Sequence, residues 1–200
     1  MSEEQVKEYT KTNFGRELTR EDIALVSGAL PGSRVTVHES TSYESESEKI
    51  LAVNVELMGD DGFPIGYMRR QVKYDSIYNS EFFLDKGFRG KGLGLNAFSQ
   101  QVEEATSRGF RKLETTAEGA ADLPDDMNGY STWAKFGYDG KLKYDPGPNG
   151  ERTIHEVMST KEGRSWWEKN GYEFEGTFSL LPGSASRRVF DEYRRLKSKV

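Results

Sequence analysis

The sequence predicts an α+β fold, a mixed sheet flanked by helices with a mostly helical C-terminal part. Three observations carry that prediction. Alternating segments at Ile50 to Met58, Ile65 to Lys73 and Ile77 to Leu84 follow one another through short turns, and such connections require an antiparallel meander. Leu95, Phe98, Val102 and Ala105 then recur at helical spacing. A further strand, Lys112 to Ala117, follows that helix, which can serve as the crossover placing it parallel to Ile77–Leu84.

The remaining elements follow in order. Residues up to Phe14 are polar and read as a loose lead-in. Thr19 stands three residues before Asp22, a helix-start signal, and the helix through Ile23 and Val26 ends at Gly28. Arg34 to His38 alternates as a strand does. Ser40 to Glu48 is acidic and of low complexity, an exposed loop by composition. Asp60-Asp61-Gly62 supplies hairpin chemistry between the first two meander strands. The helix after the meander stops at Gly109, a C-terminal cap position.

Beyond it, Ala120 to Asn128 reads as a loop containing Pro124. Tyr130, Trp133 and Phe136 line one face of a short helix, and Lys141 to Gly150 is an irregular excursion around Asp145. Ile154, Val157 and Met158 suggest a helix, and Arg164 to Lys169 another that ends at Asn170-Gly171. Glu175 to Leu180 suggests a strand. Ser184 or Ser186 caps a final helix with Val189, Tyr193, Leu196 and Val200 on one face. That stripe must be buried, and Trp166 and Trp167 are the expected partners of Tyr193 and Leu196.

Two hundred residues suit one domain with a sizeable core. Hydrophobic content is only 34%, but the 12% aromatic share buries a large area per residue. The absence of cysteine removes disulfides, thiolate metal sites and a cysteine nucleophile together. His38 and His155 are too few and too distant in sequence to suggest a metal cluster. No signal-peptide core or membrane-length apolar run is evident, so the expected location is the cytoplasm, with no membrane partner. The net charge of −5 is uneven: thirteen acids and six bases up to Asp61, then six bases and two acids from Ser184 onward. The acidic first part argues against a nucleic-acid partner and favours a cationic or amine substrate.

The chain is organised around Phe88-Arg89-Gly90-Lys91-Gly92-Leu93-Gly94, between the third meander strand and the helix. Alternate glycines strip side chains from one edge of the backbone, letting its N–H groups approach a ligand. At a strand-to-helix junction those groups and the helix dipole favour an anion, most often phosphate or pyrophosphate. A P-loop would need lysine after Gly92, where Leu93 stands. Gly92-x-Gly94-x-x-Ala97 satisfies the dinucleotide pattern, with Glu114 near the distance expected for a ribose-binding acid. Against that reading, five residues separate the strand from Gly90, and the strands lack intervening helices.

A third reading fits best. Arg89-Gly-Lys-Gly92-Leu-Gly94 resembles the Arg/Gln-x-x-Gly-x-Gly/Ala signature of the GNAT (Gcn5-related) N-acetyltransferases. The spacing of Leu84 from Arg89 and the helix ending Trp133-Ala-Lys-Phe-Gly137-Tyr138 are similar too. The resemblance covers about Arg34 to Gly140. It implies a GNAT-like core at 15–140, including a splayed parallel strand pair, and a divergent extension at 141–200 packed on it as one domain overall. It further implies that Arg89, Gly90, Lys91, Gly92, Leu93 and Gly94 hold the pyrophosphate of acetyl-CoA, and that the Leu84 backbone N–H serves the thioester oxygen.

GNAT enzymes pass the acyl group directly to an amine, so no nucleophilic side chain is required. The acceptor, a small molecule or a protein, must instead lose a proton, because an alkyl amine has a pKa near 10.4. Glu81 is the candidate base, with Asp75, Tyr78 and Glu114 as substitutes. Glu81 and Leu84 are three apart and point to opposite faces of a regular strand, so Glu81 reaches the site only if a bulge shifts the alternation. The family's usual acid is a tyrosine four residues before the helix-ending glycine. Trp133 stands there, leaving Tyr130 one turn earlier as the candidate. Two functions follow: an acyl-CoA-dependent N-acyltransferase, or a non-catalytic GNAT-fold module that binds coenzyme A or a protein partner.

Overall fold

The computed structural model describes residues 1–41, 48–123, 127–144 and 146–197. The chain forms two compact units, Met1–Arg111 and Lys112–Val200. Parts of three expected loops (42–47, 124–126 and 145) and of the expected final helix (198–200) lie outside the described residues.

The first unit is built on four antiparallel strands: β1 (Arg34–Thr41), β2 (Lys49–Met58), β3 (Pro64–Val72) and β4 (Ser76–Leu84). Each pairs with the next, the meander expected from the short turns. Helices α1 (Glu3–Phe14), α2 (Arg20–Val26) and α3 (Leu93–Ser107) belong to this unit. Its core holds Leu51, Val53, Val55 and Leu57 of β2, Met68 and Val72 of β3, Ile77 of β4, and Phe98, Val102 and Ala105 of α3.

One expectation is corrected. Met1 to Phe14 is not loose, because α1 begins with a capping box in which the Ser2 side chain accepts from the Gln5 N–H and the Gln5 side chain accepts from the Ser2 N–H. Val6, Tyr9 and Phe14 give the helix a buried stripe within a polar sequence. The Tyr9 hydroxyl donates to the Ile50 carbonyl (3.0 Å), tying the helix to β2. Thr19 caps α2 as expected, with Asp22 completing a second capping box.

Two polar contacts fix α3. The Asn79 and Gln101 amides, each about 1% exposed, donate to each other at 3.0 and 2.9 Å. At the far end of α3, the Arg108 guanidinium meets Asp22 of α2 at 2.7 Å. Burial pushes the Asp22 carboxyl up, but hydrogen bonds from Thr19 and Arg108 outweigh it and hold the carboxyl below the usual carboxylate range.

The second unit contains β5 (Lys112–Ala117) and β6 (Phe174–Ser179), an antiparallel pair. Its helices are α4 (Gly129–Lys135), α5 (Ile154–Ser159), α6 (Lys161–Asn170) and α7 (Ala185–Lys197). The core is aromatic: Trp133, Phe136, Tyr138, Trp167, Phe174, Phe178 and Phe190 are all buried. Gly137 has φ +92°, and a Cβ there would come within 2.5 Å of the Ser186 carbonyl. Glycine therefore lets the chain leave α4 directly beneath α7.

Ser184 is the cap of α7, its hydroxyl accepting from the Arg187 N–H at 3.3 Å. The docking of α7 differs from expectation. Phe190 enters the core against Phe136 and Phe178, Tyr193 stacks obliquely on Phe136, and Leu196 remains 52% exposed. Trp167 packs instead on Tyr172 and Phe174. The buried face of α7 is centred one position from the stripe of Tyr193 and Leu196, because Phe190 supplies more apolar area than Val189.

Replacing Asn79 by Leu would strand the Gln101 amide in the core and should cost about 2 kcal/mol in urea unfolding. The double variant Asn79→Leu, Gln101→Leu should recover most of that loss. Because the folded-state pKa of Asp22 is depressed, the stability it supplies is present above the unfolded-state value and disappears as pH falls through the folded-state value. Thermal melts should therefore show Asp22→Asn below the native chain at pH 7, with the gap closing as pH drops below 3.8.

Candidate anion-binding loop and strand end

The candidate site of the first unit starts where β4 ends. Leu84 sits opposite Gly66, and the next residue, Asp85, donates its N–H to Ile65 at 2.9 Å. Hydrogen-bonded pairs alternate along an antiparallel ladder, so the Leu84 N–H and C=O point away from β3. The carbonyl accepts from Arg89 Nε at 2.8 Å. That bond folds the chain back through a 3-10 turn at Lys86–Phe88 and pins the loop to the strand end.

From Gly90 the backbone opens. Gly90 has φ +74° and Gly92 φ +82°, left-handed conformations that cost a side chain-bearing residue about 1–2 kcal/mol. A Cβ at either would meet nothing within 4 Å, so the space above the loop is clear. Gly92 is the N-cap of α3 and offers no side chain to its first turn. Among the described residues, the N–H groups of Gly90 to Leu95 have no hydrogen-bond acceptor. Fifteen residues of α3 align their dipoles toward this end. Lys91 is exposed, its Nζ 4.9 Å from the Phe88 ring centroid. Gly94 has a different reason to be glycine, since its Cβ would press to 3.3 Å on the Phe82 ring.

The faces of β4 are set by a bulge. Asn79 is opposite Arg70 and Glu81 opposite Arg69, so Ser80 is the extra residue. The buried Arg70 guanidinium donates to the carbonyls of Arg69 (3.0 Å) and Glu81, satisfying backbone groups at the irregularity. Before the bulge, Ile77 and Asn79 face the core. After it, Phe82 does so opposite the buried Met68, while Glu81 and Phe83 turn to the open face beside Arg69 and Tyr67. The bulge precedes Glu81, so the alternation between Glu81 and Leu84 stays regular and the two remain on opposite faces. Glu81 pairs with Arg69 at 3.0 Å. On the same face the Tyr67 and Phe83 rings stack with centroids 5.5 Å apart.

Within the second unit, Tyr130 lies in the first turn of α4. Its N–H donates to the Glu118 carbonyl at 2.9 Å, and its carbonyl accepts from Trp167 Nε1 at 3.1 Å. Its ring is half-buried, 6.4 Å from that of Trp167. Trp133 is a core residue, edge-on to Phe136 and Tyr138. His155 is bound into the same unit, its Nε2 2.8 Å from the Gly137 carbonyl and its N–H donating to Asp139.

The structure thus brings Leu84, Arg89 and the glycines together and sets Glu81 on the other face of the strand. The residues missed in sequence are Arg70, Ser80, Tyr67 and Phe83. Their one legible signal was the Arg69-Arg70 pair, in which consecutive charges on a strand must point to opposite faces.

No protein-family model matches the chain, and no curated protein does. Among solved structures it is similar to Tetrahymena GCN5, at 10% identity over 67% of this chain and 71% of the other, with a TM-score of 0.41. It is also similar to an acetyltransferase from Bacillus cereus (12% identity, 87% and 85% covered, TM-score 0.38). A third is the paia N-acetyltransferase from Thermoplasma acidophilum in complex with coenzyme A (12% identity, 65% and 60% covered, TM-score 0.39). The similarity is one of fold, and no residue's role is drawn from it.

The loop's own chemistry generates a test of its geometry. Gly92→Ala should lose about 1 kcal/mol in denaturant unfolding from the left-handed φ alone, with no steric penalty. Gly94→Val should lose more, by displacing the Phe82 ring.

Proposed function

We propose that the chain is an acyl-CoA-dependent N-acyltransferase that moves an acetyl group from acetyl-CoA to an amine. The observation that carries the reading is the unbonded run of N–H groups from Gly90 to Leu95 at the head of α3, with open space above Gly90 and Gly92. Backbone donors with clear space above Gly90 and Gly92, a helix dipole and Lys91 suit a pyrophosphate. When bound, acetyl-CoA supplies the activated thioester. The chain's residues hold it and manage protons around it.

In this reading, Gly90 to Gly94 bind the pyrophosphate and Arg89 holds the loop against the Leu84 carbonyl. The Leu84 N–H, directed away from β3, is the donor for developing negative charge on the thioester oxygen. Glu81 faces away from the Leu84 side of β4 and is paired with Arg69, so this reading assigns it no proton transfer and takes the acceptor as the free amine available at high pH. Tyr130 is the phenol proposed to protonate the departing thiolate. Cytoplasmic location accords with a chain in which no described helix is long and apolar enough to cross a membrane.

A second reading has its own support. Trp133 occupies the family's tyrosine position and is spent on core packing, as in a fold retained for binding coenzyme A or a protein.

Gly92→Glu adds bulk and negative charge at the loop and should abolish coenzyme A binding in titration calorimetry with the fold intact by circular dichroism. Unchanged affinity would remove the loop from the site. Tyr130→Phe should lower turnover roughly tenfold or more with coenzyme A affinity unchanged. Glu81→Gln should leave the pH profile of turnover unchanged, and a drop confined to low pH would put Glu81 back as the base. A native chain that binds acetyl-CoA yet acetylates no amine at any pH would select the second reading.

A further inference from the structure

Strand β1 ends the sheet, and half of its outer edge is open. In an antiparallel ladder, alternate residues of an outer strand turn their N–H and C=O groups outward. The Val35 and Val37 carbonyls identify the outward set on β1, because they accept from Arg20 Nη2 (3.3 Å) and the Met1 amine (2.8 Å). Glu39 and Thr41 belong to the same set. Among the described residues, nothing bonds to the Glu39 N–H and C=O or to the Thr41 N–H. The outer strand of the second unit, β6, is closed where β1 is open. Thr177 exchanges two hydrogen bonds with Asp139, and Ser179 is bonded to Ser184 and Ser186. Beside the open half of β1 lies a cleft of about 450 Å³ between it and α1, lined by Tyr9, Asn13, Glu39, Ser40, Thr41 and Lys49. Burial and the nearby Glu39 carboxylate push the Tyr9 phenol up to about 12. Among the described residues, neither Glu39 nor Lys49 forms an ion pair.

We infer that the Glu39–Thr41 edge takes up an extended segment of a partner protein as an added strand, with a basic side chain of that segment against Glu39. Unpaired edge groups are a template for main-chain pairing, and side chains beside them set the choice of partner. Lys49 is on β2, one strand further in, so Glu39 is the charge that a docking strand meets. The surrounding sequence has the same sign, with thirteen acids against six bases up to Asp61, and draws a basic segment. That charge also disfavours a second copy. Two β1 edges paired with each other would set their Glu39 carboxylates directly or diagonally opposite. Met1 and Arg20 close the first half of the edge, which confines the added strand to a few residues. The surface is separate from the glycine loop. Arg34 shares a row with Glu56, Tyr67 and Phe83, so Ser40 lies roughly 20 Å along the strands from the end of β4. The inference therefore stands independently of the transferase reading.

The test titrates the full chain with three end-blocked, fluorophore-labelled peptides read by anisotropy. They are Thr-Val-Lys-Val-Thr, the same sequence with glutamate for lysine, and the lysine peptide with its backbone nitrogens methylated. The lysine peptide should bind, the glutamate peptide roughly tenfold or more weakly, and the methylated peptide not measurably. Thr41→Pro removes an outward N–H without breaking a bond to β2, and should abolish binding. Glu39→Lys leaves the edge open and should reverse the order of the lysine and glutamate peptides. Failure of the lysine peptide to bind the native chain would overturn the inference, because main-chain pairing tolerates many sequences. Undiminished binding of the methylated peptide, or of the lysine peptide to Thr41→Pro, would overturn strand addition. An unchanged order in Glu39→Lys would overturn the basic partner. A native chain that sediments as a dimer, and as a monomer in Thr41→Pro, would give the edge to a second copy instead.

Discussion

The first unit depends on the paired amides of Asn79 and Gln101. Two neutral hydrogen bonds in a dry setting add modest net stability, but leaving either amide unpaired would cost far more. Sliding α3 along β4 would break both bonds at once, so the pair selects one register among several that apolar contacts alone would accept. Everything at the head of α3 inherits that register. Gly92 becomes the N-cap, Gly94 abuts Phe82, and Arg89 reaches the Leu84 carbonyl.

The bulge at Ser80 is the second constraint, and it follows from the first. Asn79 must face α3, and Phe82 must fill the space beside Gly94. These residues are three apart, so a regular strand would present them to opposite faces. One extra residue reconciles them, and Arg70 satisfies carbonyls at the irregularity. As a result Glu81 and Phe83 turn outward and create the charged, aromatic face beside Arg69 and Tyr67. That charged, aromatic face thus arises from a packing requirement in the core.

The second unit solves a different problem with the same means. A chain poor in aliphatic residues closes its core with aromatic rings meeting at steep angles, which bury much area per residue. Trp133 is one of these rings. Its place in the core explains why tryptophan suits that position and why its indole is committed to packing rather than to proton transfer.

Much was legible in the residues themselves. Local chemistry sets turns, caps and periodicities: the meander from its alternation, α2 and α7 from Thr19 and Ser184, β5 to the residue, and the open glycine loop from its spacing. The sequence also pointed to an anion at the loop, because the N–H groups proposed to hold one belong to the backbone. It did not reveal α1, whose buried stripe of Val6, Tyr9 and Phe14 is diluted by polar neighbours and whose Ser2–Gln5 capping box was the available cue. Nor did it reveal Phe190 as the anchor of α7. What only the tertiary structure decided is which way side chains point along β4. A single inserted residue reverses the alternation, and its position depends on a long-range contact between Asn79 and Gln101 rather than on any preference local to Ser80.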